Sequence, residues 1–151
     1  MSGNIAIGIQ DFSTIIQGNY FYIDKTPFIK EWWDCGDSAT LITRPRRFGK
    51  TLTMSMVEQF FSIDYAGRSD LFEHLAIWKE EKYRELQGTY PVISLSFARI
   101  KERDYEKTKQ KMCEVLRNIY IKFCYIKDSE KLTDADRAYY ERMLEENIKE
   151  T

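Results

Sequence analysis

The segment that most constrains the fold of this chain is residues 39–61, which read ATLITRPRRFGKTLTMSMVEQFF. Residues 39–43 are mostly apolar or β-branched, as in a buried central strand. From Lys50 onward, apolar side chains return at intervals of three and four positions, which predicts a helix over about 50–63. A strand followed by a basic turn and a helix is typical of α/β proteins, in which helices cross over between parallel strands.

The turn between these two elements, RPRRFGKT, differs from the phosphate-binding pattern G-x-x-x-x-G-K-[ST] only in its first residue, Arg44. The first glycine mainly eases the turn out of the strand, so we expect its replacement to be tolerated. Gly49 would let the backbone approach a phosphate, Lys50 would reach the β and γ phosphates of a nucleotide, and Thr51 would bind Mg²⁺. The predicted binding residues are Pro45, Arg46, Arg47, Phe48, Gly49, Lys50, Thr51 and Leu52, with Lys50 as the catalytic residue and Thr51 as the metal ligand.

The arginines of this turn leave a second interpretation open. Arg46 and Arg47 could bind the phosphates of a nucleotide, but they could also face solvent or contact the phosphate backbone of a nucleic acid. The whole chain is nearly neutral, with 23 basic and 24 acidic side chains and a formal net charge of -1. No overall field therefore attracts nucleic acid or anionic lipid. The alternative to a nucleotide-binding domain is a non-catalytic interaction or nucleic-acid-binding module that uses the local arginines.

Other patterns in the sequence predict further secondary structure. The Thr26-Pro27 pair fits the N-cap and first turn of a helix. Residues 90–100, YPVISLSFARI, predict a second strand. Long amphipathic helices are expected at about 103–125 and after Thr133, where an aspartate three residues on completes a weak capping box.

Four blocks of the sequence occur in an order that is similar to a known family. They are YFYIDKTPFIKEWW at 20–33, ATLITRPRRFGKTLTMSMVEQFF at 39–61, LFEHLAIW at 71–78 and YPVISLSF at 90–97. Together they resemble the N-terminal region of the AAA-ATPase-like family of prokaryotic P-loop NTPases, in which RPRRFGKT is the usual form of the Walker A loop. Arg44 is therefore the residue that this resemblance leads us to expect.

The fold expected from these patterns is a P-loop NTPase-like, three-layer α/β/α arrangement with a parallel sheet. Two strands are fewer than an open parallel sheet usually has, so we expect the first part of a longer protein. The resemblance implies that this part is cut off before the Walker B strand. In this interpretation residues 1–151 form the first part of one P-loop ATPase-like domain. It comprises an N-terminal segment and helix at 1–38, a P-loop core at 39–100 and a helical region at 101–151.

The resemblance implies an ATP-binding domain with ATP and Mg²⁺ as cofactors. Family members continue into a Walker B strand that ends in an Asp-Glu pair, and often into a PD-(D/E)xK nuclease-like domain; this sequence contains neither. Without a Walker B acid, catalysis by positioning and charge stabilisation is incomplete. We therefore expect hydrolysis only in the full-length protein, where a nuclease-like domain downstream would be the partner.

The block Tyr-x-Asp-Lys-Thr at 22–26 has two interpretations. By analogy with related ATPases, Asp24, Lys25 and Thr26 flank the adenine. Alternatively, Thr26 caps the helix that follows, and the side chains of Asp24 and Lys25 are solvated. The sequence alone does not decide between them.

Cysteine usage and hydropathy indicate a cytoplasmic protein. Cys35, Cys113 and Cys124 are odd in number and lack the spacing of a metal site, so we expect reduced thiols. The first residues do not form a basic and then apolar leader, and no stretch approaches the roughly 18 apolar residues of a membrane helix. A membrane partner is therefore not expected.

Overall fold

The computed structural model describes residues 4–45 and 47–144, and helices form most of their regular structure. These residues divide between Val92 and Ile93 into two compact units, which we call the N-terminal and C-terminal units. The α-helices of the described residues are α1 Phe12–Gln17, α2 Pro27–Cys35, α3 Lys50–Phe61, α4 Glu81–Arg84, α5 Tyr105–Lys122 and α6 Asp134–Leu144. Short 3₁₀ helices lie at Ile63–Tyr65, Ser69–Leu71, Ala76–Lys79 and Cys124–Asp128.

The predicted α/β fold with a parallel sheet is wrong, because residues 4–45 and 47–144 contain no sheet. Strand pairing among them is limited to one isolated parallel bridge between Ser62 and Tyr90. The segment predicted as the first strand leaves the Leu41 side chain 85% exposed. A strand needs a neighbouring backbone to satisfy its N–H and C=O groups, and an apolar composition does not supply one.

The second predicted strand, at residues 90–100, is wrong for the same reason. It forms the bridge at Tyr90 and no further ladder with the described residues. Ile93 is 64% exposed and Phe97 is 44% exposed, so the apolar side chains that suggested a buried strand are not buried. The three-layer α/β/α architecture predicted from the sequence is therefore also wrong.

The helices predicted in the N-terminal unit are confirmed. Proline opens α2, and Gly36 ends it in the left-handed conformation with φ 66°. The helix α3 begins at Lys50, as the change in periodicity predicted. One detail differs, because Thr26 makes no side-chain hydrogen bond to cap α2. Its hydroxyl instead donates to Asp24 Oδ1 at 2.6 Å.

Aromatic side chains from α1, α3 and the 3₁₀ region form the core of the N-terminal unit. The Phe72 ring stacks on Phe12 and meets Phe60 edge-on, both at 5.1 Å between ring centroids. Burial of each such ring contributes roughly 1.5–3 kcal/mol, and the edge-on pair adds about 0.5–1.5 kcal/mol. The buried members of this core are Phe12, Ile29, Met56, Phe60, Phe61, Leu71, Phe72, Ile77 and Tyr83.

A polar cluster joins α1 to α3. The Asp11 carboxylate caps α1 by accepting a hydrogen bond from Thr14 N at 2.8 Å, and it also accepts one from Gln59 Nε2 of α3 at 2.7 Å. Ser55 of α3 accepts a bond from Phe12 N at 3.1 Å. Because the first turn of α3 follows the basic loop directly, this cluster fixes the helix that carries the loop.

The C-terminal unit contains the two predicted long helices, which are confirmed. Asp104 caps α5 by accepting a hydrogen bond from Lys107 N at 3.0 Å. The predicted capping box opens α6, where Asp136 N donates to Thr133 Oγ1 and Thr133 N donates to Asp136 Oδ2, each at 3.2 Å. The Tyr140 hydroxyl joins the two helices by donating to the Tyr120 carbonyl at 2.7 Å.

Three other sequence interpretations have different outcomes. The three cysteines all lie in the described part of the chain and are free thiols, as expected. None of the helices within the described ranges has both the length and the apolar character needed to cross a membrane. The interpretation of residues 1–151 as part of one domain, and the cytoplasmic location, stay predictions.

Candidate functional site

The basic loop before α3 has an unusual backbone. Gly49 occupies the N-cap position of α3 with φ 74°, and Arg47 two residues earlier has φ 69°. The left-handed region is easy for glycine but costs a residue with a Cβ about 1 kcal/mol, so the loop holds strain at Arg47. Left-handed residues within a turn aim successive N–H groups to one side, which makes a concave donor surface.

The start of α3 leaves hydrogen-bond donors available. No described residue accepts a hydrogen bond from the backbone N–H of Thr51 or Leu52, and no side chain caps the helix. The N–H of Thr53 is the first with a partner, Gly49 O at 2.8 Å. The positive end of the helix dipole and these donors together favour an anion at this position.

Two lysine side chains reach the same loop from different directions. The Lys50 ammonium donates to the carbonyl of Arg44, which folds the first helical residue back across the turn. The Lys25 ammonium donates to the carbonyl of Phe48 at 3.2 Å. Among the described residues no carboxylate forms a salt bridge with either lysine. Both positive charges are therefore held by neutral acceptors only.

The segment that carries Lys25 is anchored to the N-terminal unit on both sides. Asp24 accepts hydrogen bonds from Thr26 N at 2.8 Å and from Ala76 N at 2.7 Å. Thr26 is fully buried, and its hydroxyl accepts a bond from Ile77 N at 3.1 Å. Thus Thr26 is not the side-chain cap of α2, and Asp24 is not a freely solvated carboxylate.

Tyr22 holds the backbone of Lys25 as well. Its hydroxyl accepts a hydrogen bond from Lys25 N at 3.2 Å and donates to the Met56 sulfur of α3 at 3.3 Å. Burial raises the pKa of Tyr22 to about 12, so the phenol keeps its proton at neutral pH. The lysine is therefore placed against the loop by contacts from its own segment and from α3.

Two clefts border the loop, and Lys25, Phe48 and Lys50 line both of them. The smaller has a volume of about 710 Å³ and extends along residues 40–44 and the start of α2. The larger, of about 1080 Å³, extends along residues 6–10 and 21–23 and includes Gly49 and Thr51. Both are large enough for a nucleotide-sized ligand.

A comparison with protein families identifies the group to which this sequence is related. The model of a family described as "Predicted AAA-ATPase" matches residues 6–151. The chain belongs to this family. It is 33% identical over 113 residues to a protein of Azotobacter chroococcum mcd 1 described as "Uncharacterized protein in vnfD 5'region". No solved structure matches the chain.

The predicted AAA-ATPase family supports an ATPase-like role and confirms the resemblance found in the sequence. The match to the Azotobacter protein covers 74% of this chain and 20% of that relative, so the chain spans about one fifth of the relative's length. Neither comparison bears on a nuclease-like domain, which stays a prediction.

The structure of this family member brings most of the predicted site residues together in the loop. Gly49, Lys50, Thr51 and the half-buried Leu52 form the start of α3, and Leu52 packs against the core. The other predicted residues are Pro45, Arg47 and Phe48, which are exposed, and Arg46, which lies outside the described residues. Their role in binding stays a prediction.

Lys25 was not among the predicted binding residues of the loop. Its contact with Phe48 spans 23 positions of sequence, and no motif connects the two segments. The only sequence signal was the Asp-Lys-Thr triplet. A lysine between two residues with hydrogen-bonding side chains can have its backbone held in one position. That signal is too common to predict a contact by itself.

Proposed function

We propose that this chain binds Mg-ATP through the loop at residues 44–51 and the first turn of α3. The observation that carries the proposal is the left-handed Gly49 at the N-cap, followed by backbone donors without acceptors among the described residues. The membership in a predicted AAA-ATPase family supports ATP as the nucleotide. In this proposal the N–H groups of Thr51 and Leu52 bind phosphate oxygens.

Each polar group of the loop has a role in this proposal. Lys50 exchanges the Arg44 carbonyl for the β and γ phosphates, because a charge-assisted bond to phosphate is stronger than one to a neutral carbonyl. Arg47, which is exposed within the loop, adds positive charge near the ligand. The adenine interaction proposed for residues 24–26 remains an alternative role of that segment.

The residues present also suit a magnesium ion that arrives with the nucleotide. The Thr51 side chain is exposed at the start of α3. The described residues contain no group of three or more acidic, histidine or cysteine side chains that could hold a metal by themselves. Mg²⁺ commonly keeps water and phosphate ligands with one or two protein oxygens, so Thr51 would be its ligand from this chain.

We place ATP hydrolysis in a longer protein. The proposed binding site supplies positive charge and backbone donors, but the sequence offers no Asp-Glu pair after an apolar strand to position the metal and water. We propose that the full-length protein supplies this acid and couples hydrolysis to a conformational change, with a nuclease-like domain as its target. The chain alone is expected to bind Mg-ATP without appreciable turnover.

Isothermal titration calorimetry and thermal melts with Mg-ATP test the binding proposal. Ligand that binds only the folded state raises Tm, so the wild-type chain should melt higher with Mg-ATP than without it. Lys50→Ala should abolish both the shift and the measured heat of binding. Lys79→Ala removes an exposed lysine elsewhere in the N-terminal unit and should leave both unchanged.

A different result would favour the non-catalytic alternative. If Mg-ATP leaves Tm unchanged while DNA or RNA binds with an affinity that falls steeply with salt, the arginines act on a nucleic-acid backbone. The nucleotide proposal is then rejected for this chain.

A further inference from the structure

We propose that Lys25 is a second phosphate-binding cation of the same site, contributed by a segment outside the glycine-lysine-threonine motif. This inference rests on the proposed function, because it assigns a further residue to the polyphosphate site at Gly49 and Lys50. The observation that suggests it is the position of the Lys25 ammonium, 3.2 Å from the Phe48 carbonyl and beside Gly49, the N-cap of α3.

Gly49 shows how close this ammonium lies to the turn. A Cβ built on Gly49 would be 2.7 Å from Lys25 Nζ, a distance at which one of the two groups must move. The glycine suits the left-handed backbone, and its lack of a side chain leaves room for the flexible end of Lys25. Because Gly49 has no side chain, both a phosphate and the Lys25 ammonium can come close to the turn.

The main chain around Lys25 is held by several hydrogen bonds. Its neighbours Asp24 and Thr26 are tied to residues 76–77, and Tyr22 binds the Lys25 N–H. An anchored backbone reduces the entropy lost when the side chain orders around a ligand. These anchors involve the side chains of Asp24 and Thr26, and the Lys25 ammonium itself is bonded only to the Phe48 carbonyl among the described residues.

The charges around Lys25 also favour a phosphate over the Phe48 carbonyl as the acceptor of its hydrogen bond. Among the described residues Lys25 has no salt-bridge partner, and its acceptor is a neutral carbonyl. A phosphate oxygen carries negative charge and forms the stronger hydrogen bond. Two ammonium groups, from Lys25 and Lys50, would then flank the polyphosphate from different segments of the chain.

Inorganic tripolyphosphate separates this role from contact with the adenine. The experiment is calorimetry of the 151-residue chain with Mg-tripolyphosphate and with Mg-ATP. The variants are wild type, Lys25→Gln, Lys25→Arg and Lys79→Gln. Glutamine keeps a donor for the Phe48 carbonyl but removes the charge, so it distinguishes phosphate binding from simple support of the loop. Circular dichroism melts check that each variant is folded.

We expect Lys25→Gln to lower the affinity for both ligands by a similar factor, about tenfold or more. Lys25→Arg should retain most of the affinity, and Lys79→Gln should match wild type. If Lys25→Gln weakens the binding of Mg-ATP but not that of Mg-tripolyphosphate, the proposal is overturned in favour of an adenine contact. A folded Lys25→Gln variant with wild-type affinity for both ligands would overturn it as well, while leaving the nucleotide proposal intact. If the wild-type chain binds neither ligand, both the proposed function and this inference are rejected.

Discussion

At the scale of single residues, Gly49 is the position where backbone and side-chain requirements coincide. Its φ of 74° disfavours residues with a Cβ, and a Cβ there would lie only 2.7 Å from the Lys25 ammonium. Gly36 at the end of α2 has a similar φ of 66°, but a Cβ on that residue would meet no other atom within 4 Å. A comparison of alanine variants at the two glycines therefore distinguishes the effect of backbone strain from the effect of crowding at the loop.

This contrast gives a paired prediction. Gly36→Ala and Gly49→Ala should each lower the free energy of unfolding by about 1 kcal/mol, because both force alanine into the left-handed region. Only Gly49→Ala should also weaken the binding of Mg-ATP. Its methyl group displaces the Lys25 ammonium and takes up space that a phosphate would need next to the turn. Urea unfolding and calorimetry measure the two effects. Equal nucleotide affinity in both variants would contradict the role given to Gly49.

The sequence predicted the residues of this loop but not their surroundings. Gly49, Lys50 and Thr51 follow one another, so a local motif could identify them. Lys25 belongs to a segment whose Asp24 and Thr26 are bound to residues 76–77, far away in sequence. Contacts of this kind depend on tertiary packing, which no local pattern records.

At the scale of secondary structure, α1 and α3 are joined through a carboxylate that must be ionised to make its bonds. Burial tends to raise the pKa of Asp11, but the hydrogen bonds from Ser13, Thr14 and Gln59 outweigh it and lower the pKa from 3.8 to about 2. A lowered pKa in the folded state means that the ionised form stabilises the fold. This stabilisation is complete above the unfolded pKa and is lost as the pH falls through the folded one.

We therefore predict a pH-dependent effect of Asp11→Asn. At pH 6 the variant should have a lower free energy of unfolding than wild type, because asparagine cannot accept all the bonds that the carboxylate accepts. The difference should shrink as the pH falls from about 4 to about 2, where the wild-type carboxylate takes up its proton. Urea unfolding at several pH values measures it. A difference that is constant over this range would show that the charge is not involved.

The two faces of α3 give a second prediction at this scale. Phe60 is fully buried, whereas Met54 on the same helix is 58% exposed. Phe60→Ala should lower the free energy of unfolding by about 3–5 kcal/mol, since it removes the ring and leaves a cavity. Met54→Ala should change it by less than about 0.5 kcal/mol. Equal losses in chemical denaturation would contradict the assignment of the buried face.

Helices were predictable where strands were not, for a physical reason. A helix such as α5 satisfies its backbone internally, and the capping residues of α5 and α6, Asp104 and the Thr133-Asp136 pair, lie next to their helices in sequence. The segments at 39–43 and 90–97 have the composition of strands, but pairing depends on another segment at the right distance. The helix α1 was missed because only six residues carry its pattern, although Asp11 is a recognisable cap.

At the scale of the whole molecule, the boundary at Val92 and Ile93 divides the described residues into two units. The segment at 93–103 has little regular structure, and its backbone bonds with the described residues are local ones such as Ile100 N to Phe97 O at 3.0 Å. Proteases cleave exposed backbone that can open at low cost in free energy. The segment therefore has the properties of a cleavage site.

We predict that brief treatment with trypsin cuts first after Arg99, Lys101 or Arg103, all of which are exposed. Sites within α5 should be cut later, because their backbone is helical. Mass spectrometry of the fragments identifies the order of cleavage. Early cuts within α5, with the 93–103 segment still intact, would contradict the division into two units.

We propose that the backbone amides at the start of α3 bind the phosphates of Mg-ATP. A ¹H–¹⁵N NMR titration of the chain with Mg-ATP tests it most directly, because it reports on the individual N–H groups. We expect the amide signals of Gly49, Lys50, Thr51 and Leu52 to move most and the movement to saturate. Amide signals of these four residues that stay in place while signals elsewhere move to saturation would contradict it.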